Sequence, residues 1–75
     1  MRLDYDLIGA TKAGVHEHPK QFIIEKLGLE LIRSEPHPLM DCWFFEVADS
    51  DKELPSFIRE RDFKFYDELD HLPVV

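Results

Sequence analysis

Residues 42–47, Cys-Trp-Phe-Phe-Glu-Val, restrict the fold more than any other part of this chain. In an extended strand successive side chains alternate, so Trp43, Phe45 and Val47 point one way while Cys42 and Phe44 point the other. A strand that is apolar on both faces belongs in the middle of a sheet rather than at its edge.

The rest of the chain supplies the neighbours of that strand. Leu3, Tyr5 and Leu7 alternate with Asp4 and Asp6, the period of a half-buried strand, which predicts a first strand over 2–8 ended by Gly9. Pro19 suits a first helical turn, Phe22, Ile23 and Leu27 recur at helical spacing, and Gly28 supplies a left-handed stop, so a helix is expected over 18–27. Residues 29–33 and 40–48 read as two arms of a hairpin joined by the stiff Glu35-Pro36-His37-Pro38 loop. Ser50 and Glu53 have the spacing of a capping box and predict a second helix ending near Arg61, with Pro55 complicating its start. Phe63 and Phe65 straddle Lys64 and suggest a last short strand, followed by an acidic tail over 66–75.

This order, β-α-β-β-α-β, is that of the ferredoxin-like α+β sandwich, a four-stranded antiparallel sheet with strands one and three central and two helices on one face. Gly 3 and Pro 5 in 75 residues leave little material for a linker, so residues 1–75 read as one domain. With two helices on one side, Trp43, Phe45 and Val47 are expected on the open face as an apolar patch, and a homodimer joined there would bury it.

Charge and cysteine usage narrow the function. The net charge is −7, and the second half carries most of the excess acid. Trp43 and Phe45 are spaced like the base-stacking aromatics of the RNA-recognition motif, but Asp41 and Glu46 flank them and Asp4 and Asp6 flank Tyr5. Acids there repel phosphate, so nucleic acid is not an expected partner, whereas a basic protein is. No apolar run approaches the roughly 18 residues that cross a bilayer, so no membrane partner is expected. The single Cys42 cannot form an internal disulfide, and with no secretory segment at the start it points to a cytoplasmic protein.

Three constellations carry possible chemistry. His16 and His18 project to one side of an extended segment and, with His37, could ligate a metal, although a metal site needs three or four ligands and a helix entrance explains polar residues equally well. Gly9 and Gly14 have the spacing of a phosphate loop with Lys12 between them, yet the Lys-Ser/Thr pair of that motif is missing. Cys42 lies beside Asp41, which raises its pKa, and so reads as a structural thiol.

No nucleophile, acid or base has a second partner within sequence reach, so an enzyme is the less expected outcome and no cofactor is implied. The reading is a non-enzymatic protein-binding or regulatory domain acting as a homodimer. One concrete form is an acidic inhibitor of a basic nuclease, of the antitoxin, immunity or phage-encoded kind; the alternative is a small-ligand or metal sensor using His16 and His18.

Overall fold

A computed structural model describes residues 1–66. Strands β1 (Arg2–Asp6), β2 (Leu31–Pro36), β3 (Cys42–Val47) and β4 (Ile58–Glu60) form one antiparallel sheet in the order β2-β3-β1-β4. β1 and β3 are the central pair, as the doubly apolar β3 requires. The helical segments are α1 (Leu7–Lys12) and α2 (Pro19–Gln21), the latter running directly into a π-helical stretch, Phe22–Lys26. The architecture is a small α+β fold.

The alternation in β1 places Leu3 and Tyr5 in the core at 0% exposure, with Arg2, Asp4 and Asp6 on the other face. The strand stops two residues earlier than expected because Asp6 becomes a helix cap. Its carboxylate accepts from the Ile8 N–H at 3.0 Å, which satisfies one of the free donors of α1. Ala10 buries the inner side of that turn, and Gly14, at φ +82°, ends it in the left-handed region.

The helix expected over 18–27 is present over 19–26, entered through Pro19 and stopped at Gly28, whose φ is +65°. Lys52 reaches over from the β3–β4 connection and donates to the Leu27 and Gly28 carbonyls at 2.9 and 3.1 Å, neutralising acceptors left over at the helix end.

The second helix is absent: among the described residues none between β3 and β4 is helical. The Ser50 hydroxyl accepts from the Lys52 N–H at 3.1 Å, a tight local turn, instead of reaching Glu53. Pro55 then denies a donor and pushes Leu54 out of the helical region. The connection instead runs extended and delivers Leu54 and Phe57 to the core.

The last strand is also displaced. Ile58, Arg59 and Glu60 pair with Tyr5, Asp4 and Leu3, whereas Phe63 and Phe65 lie outside the ladder. Of the acidic tail expected over 66–75, only Tyr66 falls within the described residues.

One core cluster gathers Leu3, Tyr5, Ala10, Ile23, Leu29, Phe45, Val47, Phe57 and Ile58. Tyr5 is its centre, with Phe22, Phe45 and Phe57 packed edge-on at centroid distances of 6.0, 6.2 and 5.2 Å. Such edge-to-face contacts each add about 0.5–1.5 kcal/mol beyond area burial.

Candidate functional site

The β3 side chains face the opposite way from the sequence expectation. Phe45 and Val47 are fully buried against the helix-bearing core, and Trp43 packs beside them, stacked on Phe45 and edge-on to His18 at 5.0 Å. The patch expected on the open face is therefore core, and the other face is built from Arg2, Asp4, Asp6, Cys42, Phe44, Glu46, Arg33, Glu35 and Arg59.

That face is closed by the chain itself. Beyond β4, residues 61–66 cross the sheet from its β4 edge toward β2. Arg61 donates its backbone N–H to the Arg2 carbonyl and pairs its Nε with Asp4 Oδ2 at 3.3 Å. Arg2 Nη1 donates to the Phe63 carbonyl, and the Phe63 ring lies on Phe44 with centroids 4.4 Å apart. Phe65, at 0% exposure, lies beneath the Arg33 guanidinium, 4.1 Å from its ring centroid, a cation–π contact. The Tyr66 N–H donates to Glu35 Oε1 at 2.9 Å. The alternation of Phe63 and Phe65 about Lys64 survives, as a strap instead of a strand.

One end of the sheet stays open. The β2–β3 turn presents Leu39 at 91% and Met40 at 65% exposure, and Ile8 of α1 is 54% exposed. Ile8 and Met40 line a common groove of about 290 Å³ together with Asp4, Asp6, Asp41, Cys42, Phe57, Arg59 and Arg61. Its two walls are tied by the Leu7 N–H, which donates to the Asp41 carbonyl at 3.1 Å. His37 shapes the turn: its Nδ1 accepts from the Leu39 and Met40 N–H groups at 3.0 and 2.9 Å. A fixed turn holds two large apolar side chains out in water at little further entropy cost on binding.

The electrostatics of this groove are negative. Burial raises the Cys42 thiol above its ordinary 9.0, and Asp4, Asp6 and Asp41 raise it further against the opposing pull of Arg61. The thiol is half-buried and kept in its neutral, unreactive form at neutral pH.

The structure scatters the candidate ligands. His18 Nδ1 caps α2 by accepting from the Lys20 N–H at 3.2 Å and its ring packs on Trp43, whereas the His37 ring packs on Phe44 of the opposite sheet face while its Nδ1 holds the β2–β3 turn, and His16 is exposed. Among the described residues no three His, Cys, Asp or Glu side chains converge as a metal site. Gly9, Lys12 and Gly14 form no loop: Gly9 and Lys12 lie in α1 and Gly14 follows its cap. A Cβ on Gly9 would stand 2.9 Å from Phe57 Cβ, so this glycine is there for close packing. The N–H groups of Ala13, Gly14 and Val15 donate to the Gly9, Thr11 and Ala10 carbonyls and are not turned toward an anion.

Sequence reasoning missed Ile8, Leu39 and Met40. Two signals could have found them: Asp6 directly before Leu-Ile, a helix cap, and two consecutive large apolar residues in a Pro-bounded turn. Comparison with protein-family models, curated proteins and solved structures finds no match.

Proposed function

We propose that the chain is a non-enzymatic protein-binding domain that docks a basic partner on the end of the sheet formed by Ile8, Leu39 and Met40 and rimmed by Asp6 and Asp41. The observation that carries this reading is the exposure of Leu39 and Met40 on a turn braced by His37, beside a groove whose carboxylates outweigh its arginines. Large apolar side chains held rigidly in water at a groove mark an interaction surface.

The charge supports a cationic partner. Arg61 is engaged with Asp4, so among the described residues Asp6 and Asp41 outnumber the one remaining groove cation, Arg59, beside the apolar tip, and the whole chain carries −7. Attraction of this kind speeds encounter and selects partners by sign, while the apolar contacts supply affinity. Inhibition of a basic enzyme such as a nuclease is one form that this activity takes.

The strand order β2-β3-β1-β4 supports a ferredoxin-like sheet whose second crossover has exchanged its helix for an extended connection. The homodimer expected through Trp43, Phe45 and Val47 loses its argument, since those side chains are spent on the core.

The test is affinity capture from a cell extract with the wild-type chain and with Leu39→Glu and Met40→Glu, at low and high salt. A basic protein held by the wild type, released by salt and not held by either variant supports the reading. Capture unaffected by both substitutions overturns it.

A further inference from the structure

β4 is held by ladder pairing to β1, whereas residues 61–66 lie across the sheet face and are held chiefly by side chains. We propose that this face is a self-recognition site, and that residues 63–66 are exchanged between two copies of the chain, with Arg61 and Asp62 as the link, to give a reciprocal two-fold dimer.

The occupant is identified by what already sits there. Phe44 takes the Phe63 ring, Arg33 covers Phe65, and Glu35 accepts from the Tyr66 N–H. A second copy brings the same segment, so an exchanged dimer keeps every one of these contacts and needs no new surface chemistry.

The attachment lets the segment leave as a unit. It follows a strand of three residues, through the exposed Arg61 and Asp62, and its departure breaks no pairing among β1, β2 and β3. Lifting it uncovers Phe44 and Phe65, a state too costly to persist, so an opened chain is recaptured either by its own segment or by a neighbour's. Edge pairing does not compete: β2 carries an irregularity between Leu31 and Arg33 and ends in Pro36, and β4 is very short.

The experiment unfolds and refolds an equal mixture of two differently isotope-labelled full-length chains and reads mass and contacts. While dimer is the minor species, each tenfold rise in chain concentration raises the dimer-to-monomer ratio about tenfold, by mass action. Filtered NMR spectra of the dimer then show Phe44–Phe63 ring contacts between differently labelled chains. Two glycines inserted between Asp62 and Phe63 lengthen the link, favour self-capture and lower the dimer fraction. A chain that stays monomeric at every concentration up to about 1 mM after refolding, or a dimer whose Phe44–Phe63 contact stays within one chain, overturns the proposal.

Discussion

The Phe63 ring lies on Phe44 with a centroid separation of 4.4 Å and a tilt of 31°, and this contact closes the sheet face opposite the core cluster. The chain thus has apolar material on both sides of its central strands. At the end of the sheet, Ile8 and Met40 meet in a groove that the strap does not cover.

The strap makes a sharp pairwise prediction. Phe65→Ala removes a fully buried ring beneath Arg33 and is expected to cost about 3 kcal/mol or more. Lys64→Ala, one residue away and exposed, is expected to change stability by less than about 0.5 kcal/mol. Urea unfolding of the two variants checks this, and equal effects would contradict a strap with one side inward.

Gly9 separates packing from anion binding. A glycine-to-alanine change inside a helix normally stabilises, but here the added Cβ meets Phe57 Cβ at 2.9 Å and Asp6 Oδ2 at 3.1 Å. Gly9→Ala is expected to lower stability by about 1–3 kcal/mol, measured by denaturant midpoint. A gain in stability would return residues 9–14 to the status of an open loop.

The Tyr5 hydroxyl is buried without a hydrogen-bond partner among the described residues. Tyr5→Phe is therefore expected to be neutral or stabilising by up to about 1 kcal/mol, because it removes a buried polar group that gains nothing in return. A clear loss of stability would show that the hydroxyl is bonded in solution.

Alkaline sensitivity follows from the same burial. Desolvation and then Glu17 raise the Tyr5 phenol above its ordinary 10.0, and burial followed by three aspartates raises the Cys42 thiol above 9.0. Above those values the unfolded chain loses protons that the native one keeps, so the stability they contribute is full below about pH 9 and falls as pH rises. Unfolding measured from pH 8 to 11 should show the decline, with Cys42→Ser removing the part that begins near 9 and Tyr5→Phe the part that begins near 10. A flat profile would contradict the burial of both groups.

His18 tests the metal reading directly. With Nδ1 capping α2 and its ring against Trp43, His18→Ala is expected to cost about 1 kcal/mol, while the exposed His16→Ala costs little. Zinc is expected to leave the Tm of the wild type unchanged, and a rise in Tm would show a ligand that prefers the native state.

Much of the secondary structure was legible. The alternation of Leu3 and Tyr5, the helical spacing of Phe22 and Ile23 between Pro19 and Gly28, and the central place of β3 all follow from patterns that act locally. The facing of β3 was not legible, because a strand with Phe44 on one side and Phe45 on the other has no polar face to mark the outside. Phe45 and Val47 are core, and the exposed apolar side chains stand at Leu39 and Met40 instead. The second helix does not form despite the capping-box spacing of Ser50 and Glu53, because Ser50 turns back on Lys52 and Pro55 breaks the helical bonds that would follow. Phe63 and Phe65 showed a period of two, which a strap laid on a sheet shares with a strand inside one.

The measurement that tests the central claim most directly is a two-dimensional amide NMR titration of the isotope-labelled full chain with a short peptide of alternating lysine and leucine, a minimal basic and apolar partner. The account predicts shifts concentrated at Ile8 and at residues 39–42, reduced by salt and lost in Met40→Glu. Shifts centred instead on the Asp49, Asp51 and Glu53 segment, or spread evenly over all acidic residues, would contradict it.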